Sequence, residues 1–356
     1  MCLLCSPVNS AYHKPRKVPN VYGVQHFSCL EGTREKTRAA IGEWADEKGS
    51  DKPIFLLQDV AGSGKSTVAN HMFGEWTREK RLVARFFFSR DKTTRSTNLF
   101  CSTVATAFTE LDPTFKDHSE KFEKRRDFTL LSFEELFNGL VIPPLEELDR
   151  DAILIIDALD ECDNEDGSRD ELLNVLRGHL SSIPRLRIFA TGRPERDIKL
   201  WARKSGVGCA NFNQLEGGDK DVEIYIKSRL QDLPVNIGDR IYHVIKRAEG
   251  VFIWARIACD SILKTADVGG LLEELGEEVT LDSLYEVALG QSIPKDSRSQ
   301  QAFTAVLQMI LACQDQEPLS IAELEGLSPN PGIVEQMVTC LGAVLLYKDR
   351  EANIDQ

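Results

Sequence analysis

Four short stretches of the chain are apolar without polar alternation: Ile54-Phe55-Leu56-Leu57, Leu82 to Phe88, Ala152 to Ile156 and Leu186 to Ala190. A strand with one wet face would alternate, so runs like these are buried on both faces, the mark of a parallel sheet covered by helices. Helical spacing fills the intervals. Arg34 to Trp44 reads as a short helix leading into the strand Ile54 to Gln58, and Lys65 to Trp76, Leu99 to Leu111, Phe115 to Arg126, Phe133 to Leu140 and Leu172 to Leu180 as further helices. The alternation predicts a doubly wound α/β domain whose ligand lies at the carboxyl ends of the strands. After about Gln214 the strand signals fade. Val222 to Leu230, Ile241 to Ala248 and Val251 to Leu263 carry helical spacing, separated by Pro234 and Gly250. Ala302 to Cys313, Ile321 to Leu324, Ile333 to Leu341 and Val344 to Tyr347 then read helix, helix, helix, short strand, an order that suits a winged-helix module. Residues 1 to 28, irregular and marked by Pro7, Pro15 and Pro19, read as a flexible tail.

Directly behind the first apolar run stands Ala61-Gly62-Ser63-Gly64-Lys65-Ser66-Thr67. Buried strand, glycine-rich turn, then Lys-Ser-Thr describes a phosphate cradle. Backbone N–H groups converge on phosphate oxygens, and the following helix points its positive dipole end at the same anion. Lys65 would reach the terminal phosphates, and the Ser66 hydroxyl would join a magnesium shell. The full Walker A pattern G-x-x-x-x-G-K-[ST] needs glycine five residues before Gly64, and that position is Asp59. If φ is positive there, aspartate tolerates it better than most side chains, but its charge near the phosphates is expected to cost some binding.

The run Ile153-Leu154-Ile155-Ile156-Asp157-Ala158-Leu159-Asp160-Glu161-Cys162 ends a strand on an acid, as a Walker B segment does. Asp157 faces the same crevice as the loop and is placed to hold magnesium, directly or through water. Asp160 and Glu161 follow on the exit loop, where one carboxylate would orient an attacking water. Taken alone, acids at a strand end simply cap the next turn; a phosphate loop about ninety residues upstream changes that reading. The next strand ends Phe189-Ala190-Thr191-Gly192-Arg193-Pro194, and Arg193 would project toward a γ-phosphate as a sensor.

Charge narrows the class. A net charge of -13 over 356 residues disfavours a nucleic-acid motor or an anionic-membrane binder, since phosphate contacts need a basic footprint. Nine scattered cysteines suit reduced thiols better than a disulfide framework. Cys2 and Cys5 form an isolated C-x-x-C, short of the four ligands that structural zinc takes. No apolar run approaches the roughly 20 residues that span a bilayer, and the start has no secretory pattern, so a cytoplasmic protein is expected.

The ordered motifs resemble the NACHT family of signal-transduction NTPases, a branch of the STAND class related to the AAA+ ATPases. Cys29-Leu30-Glu31-Gly32-Thr33-Arg34 is similar to the C-x-x-G-T-R lead-in of fungal, heterokaryon-incompatibility-type NACHT proteins. Arg85-Phe86-Phe87-Phe88-Ser89-Arg90 is similar to their F-F-F-S-R strand, Asp157 to Cys162 to their D-A-L-D-E-C, and Thr191 to Pro194 to their T-S-R-P. Glu249-Gly250-Val251-Phe252-Ile253-Trp254-Ala255 looks like the glycine-centred helix start of their lid. Gly192 stands where serine is common. The winged-helix histidine of these proteins has no counterpart, because all six histidines lie at or before His243.

The resemblance implies a P-loop NTPase parallel sheet covered by helices, followed by a helical lid and a partial winged-helix module. It divides the chain into a tail (1–28), a nucleotide-binding domain (29–215), a lid (216–268) and a helical, winged-helix-like region (269–356). It places Thr33 and Arg34 near the nucleotide base, and Lys65, Asp160, Glu161 and Arg193 in catalysis. The implied ligands are ATP or GTP with Mg, and the implied activity is a slow NTPase that couples nucleotide state to lid opening and oligomerisation. A ligand at a thousand times its Kd stabilises its preferred state by about 4 kcal/mol, and a full switch needs about 5.5, so nucleotide plus a partner signal suffices. Fungal self/non-self recognition or innate-immunity-like signalling is the expected setting. Sensor and effector parts would then come from other chains, with no membrane span and no nucleic acid. The alternative is a scaffold that holds nucleotide without hydrolysing it.

Overall fold

The computed structural model describes residues 28–49, 51–89, 97–123, 131–163, 167–179, 183–204, 206–216, 220–233, 238–276, 284, 297–312, 319–328 and 334. The expected tail falls outside these apart from Ser28, and so do Ile333 to Leu341 and Val344 to Tyr347 apart from Val334. The winged-helix reading therefore lies largely outside the described residues.

Five parallel strands form one sheet: β1 (Ile54–Gln58), β2 (Leu82–Phe87), β3 (Ala152–Asp157), β4 (Leu186–Gly192) and β5 (Val207–Ala210), in the order β2-β3-β4-β1-β5. Every residue of β3 and β4 is buried, which is why their sequences do not alternate. Edge strand β5 reads Val-Gly-Cys-Ala, short and weakly apolar, and no sequence pattern announced it.

Successive side chains still point to opposite faces, and each face finds its own helices. Ile54 and Leu56 join Ala84, Phe86, Leu154, Ile156, Ile188 and Ala190 under α3 (Phe100–Thr109), α5 (Phe133–Leu140), α7 (Ser168–His179) and α8 (Arg196–Ala202). Leu57, Val83, Ile153, Ile155 and Phe189 face α1 (Glu35–Asp46) and α2 (Lys65–Arg78), through Ile41, Trp44, Val68, Met72 and Trp76. Phe189 is fully buried there, edge-on to Trp76 at 6.4 Å and to Phe55 at 6.2 Å between ring centroids. Helices α4 (Pro113–Glu123) and α6 (Ile142–Glu146) flank α3 and α5, and α9 (Phe212–Glu216) packs on α1.

Four helices follow with a core of their own: α10 (Lys220–Leu230), α11 (Gly238–Arg247), α12 (Phe252–Lys264) and α13 (Val268–Gly276). Leu271, Leu272, Leu275 and Leu284 belong to that core with Trp254, Ile257 and Ile262, so this helical core includes residues beyond 268. Gly269 and Gly270 in the first turn of α13 hide its helical pattern, since glycine is a poor helix former. A small separate cluster joins Phe303 and Val306 of α14 (Ser297–Ala312) to Leu324 of α15 (Ile321–Leu327) and Val334. Among the described residues no helix is long and apolar enough to cross a membrane.

Phe189→Ala is expected to destabilise the chain by about 3–5 kcal/mol, because the strand is flanked on both sides and cannot collapse onto the cavity. Urea unfolding checks this, and a loss under about 1 kcal/mol would contradict the packing described.

Candidate functional site

The loop between β1 and α2 turns on two glycines. Gly62 and Gly64 have φ of 70° and 94°, a region closed to most side chains, and Gly64 immediately precedes the first helical residue, Lys65. The opening N–H groups of α2 have no partner within the helix and lie at its positive end. Lys65 is only 9 % exposed. Its ammonium donates to the carbonyls of Asp59 (2.9 Å) and Val60 (2.7 Å) and to Ser63 Oγ (3.4 Å). Burial pushes its pKa down, opposed chiefly by Asp160 and Asp59. Ala61 and Gly62 are exposed, Ser63 is buried, and Thr67 is half-buried in the first turn of α2.

Asp59, the departure from the glycine pattern, does not have positive φ, so no backbone strain arises there. Its carboxylate accepts from the Val60 N–H (2.7 Å) and, across the sheet end, from the Phe212 N–H (3.1 Å).

At the end of β3, Asp157 Oδ1 accepts from Ser66 Oγ at 3.1 Å, from the Ala158 N–H at 3.0 Å and from Thr191 Oγ1. The two expected metal ligands are thus brought together. Both offer oxygen beside the phosphate loop, and that is the donor chemistry magnesium takes. Thr191, fully buried, also accepts from the Ala158 N–H at 3.1 Å. Its part was missed in the sequence, although a hydroxyl residue ending the strand before Arg193 was the available signal.

Ala158 then adopts φ 55°, which costs a non-glycine residue about 1–2 kcal/mol, and the chain tightens into a single 3₁₀ turn over Leu159–Glu161. That turn splits the two candidate carboxylates. Asp160 is buried and grips Arg193 twice, accepting from its backbone N–H at 2.9 Å and pairing with Nε at 3.1 Å. Glu161 is more exposed and stands 3.9 Å from Arg193 Nη2. Gly192 lies beside the exit loop, where a Cβ would make ordinary contacts at 3.5 Å with Leu159 Cβ and 3.6 Å with Asp160 Oδ1.

Arg169 of α7 fixes the exit loop and was not foreseen. Only 5 % exposed, it donates to the carbonyls of Asp160 (2.9 Å) and Cys162 (3.0 and 2.9 Å). Its Nη1 pairs with Glu195 (2.5 Å) and Asp197 (3.0 Å) at the start of α8. In sequence it is one more charged residue in a polar first turn, and only the tertiary fold distinguishes it.

Helix α12 lies against the loop. Glu249 and Gly250, at φ 46° and 77°, break α11 from α12, whose Ile253 N–H donates to the Gly62 carbonyl at 3.0 Å. A Cβ at Gly62 would come within 2.2 Å of Ile253 Cγ2, so glycine there serves the contact as well as the turn. Arg34 closes the seam from the other side. Its Nη2 donates to the Ser63 carbonyl at 2.8 Å, and its backbone N–H to Asp221 of α10 at 3.1 Å, with Nη1 3.5 Å from the same carboxylate. The guanidinium carbon lies 3.5 Å from the Phe212 ring centroid and 4.9 Å from that of Phe252. Thr33 is committed to its own turn, donating to the Leu30 carbonyl at 2.6 Å. Burial raises the Asp221 pKa, with Arg34 opposing, and pushes the Cys29 thiol up to about 11.

Residues 36–193 match the family described as Nephrocystin 3, N-terminal. That span contains the phosphate loop, Asp157 and Arg193 and ends before the lid. A search of curated proteins finds no match. Among solved structures, a Walker-type ATPase of Pyrococcus abyssi is 14% identical, with 87% of this chain and 89% of that one covered and a TM-score of 0.46. Cdc6p from Pyrobaculum aerophilum gives 14%, 87%, 85% and 0.45, and AMPPCP-bound DnaA from Aquifex aeolicus 14%, 91%, 92% and 0.41. At those values the likeness adds nothing to what sheet order and loop geometry establish about the fold.

Gly62→Ala is expected to push the lid off the loop, seen as faster amide exchange in α12. Ile253→Ala in the same chain should recover most of the loss, leaving about 1–2 kcal/mol of left-handed strain. Unchanged exchange in the single variant would contradict the contact.

Proposed function

We propose that the chain is a nucleotide-dependent switch that binds ATP or GTP with Mg between the phosphate loop and the lid and hydrolyses it slowly. The observation that carries this reading is the Lys65 ammonium, buried at the amino end of α2 and held on the carbonyls of Asp59 and Val60. Few ligands other than a phosphate chain use a buried ammonium and a helix start together. Ser66 and Asp157 would hold magnesium, which would supply positive charge to offset that of the phosphates.

The chain's own groups divide the remaining work. Lys65 donates to the terminal phosphates. Glu161, the more exposed carboxylate, accepts a proton from a water and orients it. Asp160 keeps Arg193 aimed, and Arg193 reads the γ-phosphate. Thr33 and Arg34 border the base. The match to a Nephrocystin 3 N-terminal region and the NACHT-like motif order support a signalling role over a metabolic one, with oligomerisation as output. Fungal self/non-self recognition is the setting that the resemblance suggests, in the cytoplasm, with protein partners.

The twofold grip of Asp160 on Arg193 favours a second reading, a scaffold that binds nucleotide without turning it over. Single-turnover assays with magnesium separate the two: product above background supports the switch, and none supports the scaffold.

Lys65→Ala is expected to weaken nucleotide binding at least about a hundredfold by calorimetry, the loss of a charge-assisted contact of about 3 kcal/mol. Unchanged affinity would overturn the proposed site. Glu161→Gln is expected to retain triphosphate after single turnover, and hydrolysis at the parental rate would remove Glu161 from the mechanism.

A further inference from the structure

Asp59 breaks the phosphate-loop pattern, yet its carboxylate is fully used. One oxygen takes the Val60 N–H and the other the Phe212 N–H, 153 positions away in sequence. Phe212 opens α9, the last described element before the lid helix α10. Its ring carries the Arg34 guanidinium at 3.5 Å, and Arg34 in turn reaches Asp221 on α10 through its backbone N–H at 3.1 Å. A continuous path thus leads from the phosphate loop to the lid: Asp59, Phe212, Arg34, Asp221. Glycine at position 59 would have no side chain with which to start it.

We propose that Asp59 is a positioning residue that couples the phosphate loop to the lid, by fastening the root of the lid to the loop through Phe212 and Arg34. Two features place the start of this path where loop occupancy is felt. The Asp59 carbonyl is one of the acceptors of Lys65, so redirecting the ammonium to a phosphate alters the hydrogen bonding of the same residue that holds Phe212. The Asp59 N–H also donates to the Gly192 carbonyl at 3.3 Å, which ties it to the strand end carrying Arg193. The path acts on the nucleotide switch proposed above and rests on that reading for its ligand, while the fastening itself does not.

Amide hydrogen exchange of the full chain, with and without Mg·ADP, tests the proposal. Without nucleotide, Asp59→Gly should raise exchange across Phe212 and 220–230 about tenfold, the loss of one charge-assisted bond. Adding Asp221→Ala should change this by less than about twofold, because both substitutions cut one path, whereas Asp221→Ala alone should act about tenfold. With nucleotide, the parent should gain protection in both the loop and 220–230, and Asp59→Gly in the loop only. Parental lid protection in Asp59→Gly, or effects of the two substitutions that multiply, would overturn the coupling. Should Asp59→Gly fail to fold, Asp59→Ala carries the test: it removes both acceptor oxygens, and parental exchange at Phe212 would again overturn the proposal. If nucleotide protects neither region in the parent, the nucleotide reading fails, and the measurements without nucleotide still decide the fastening.

Discussion

A buried ammonium has to be given acceptors, and much of the architecture around the phosphate loop follows from supplying them to Lys65. Desolvation disfavours its charge and lowers its pKa, and an unpaired ammonium at that depth would be costly. Two loop carbonyls within 2.9 Å answer this locally. Those carbonyls are free to turn inward because the loop is short and Gly62 and Gly64 take its left-handed positions. Asp160 from the neighbouring strand end and the carboxylate of Asp59 within the loop add negative potential, and Arg193 opposes them. The loop conformation, the acidic strand end and the position of Arg193 are therefore terms in one electrostatic balance, and a phosphate chain is a ligand that can shift all of it at once.

The seam with helices α10 and α12 uses the same economy. Backbone groups make the contact, the Ile253 N–H with the Gly62 carbonyl, so it depends on shape more than on side-chain identity. Arg34 supplies the long-range part. A guanidinium can stack on Phe212, donate to Ser63 and face Asp221 simultaneously, because its plane and its donors point in different directions. Lysine, a compact ammonium without a planar face, could not stack flat on Phe212 while donating to Ser63 and facing Asp221.

Reading the sequence recovered the elements whose signal is local. The buried strands β1, β3 and β4 announce themselves because no residue in them needs water, and the loop because its glycines and lysine are consecutive. Elements with diluted signals were lost: β5 through Gly208 and its shortness, α13 through paired glycines at its start. At the site, strand-end acids were legible by position, but their division of labour was not. Asp160 and Glu161 are neighbours in sequence, and only the 3₁₀ turn after Ala158 sends one inward to Arg193 and leaves the other nearer solvent. Arg169 shares this fate, because its partners lie on other elements and nothing adjacent to it in the chain signals them; Thr191 carried one local signal, a hydroxyl at a strand end just before Arg193.

Sheet order explains why Thr191 has to be where it is. Strands β1 and β3 are separated by β4, so the loop and the acid stand two strand spacings apart, about 9.6 Å. A hydroxyl on α2 can meet a carboxylate on β3 only by passing over the end of β4. A large residue there would block the meeting; β4 ends in Thr191 and Gly192. Thr191 does more than stay small, because its hydroxyl donates to Asp157 and accepts from the Ala158 N–H, the amide of the strained residue that turns the exit loop. The geometry of the separate motifs is thus one object: the strand between them sets their distance, and its last two residues let them meet.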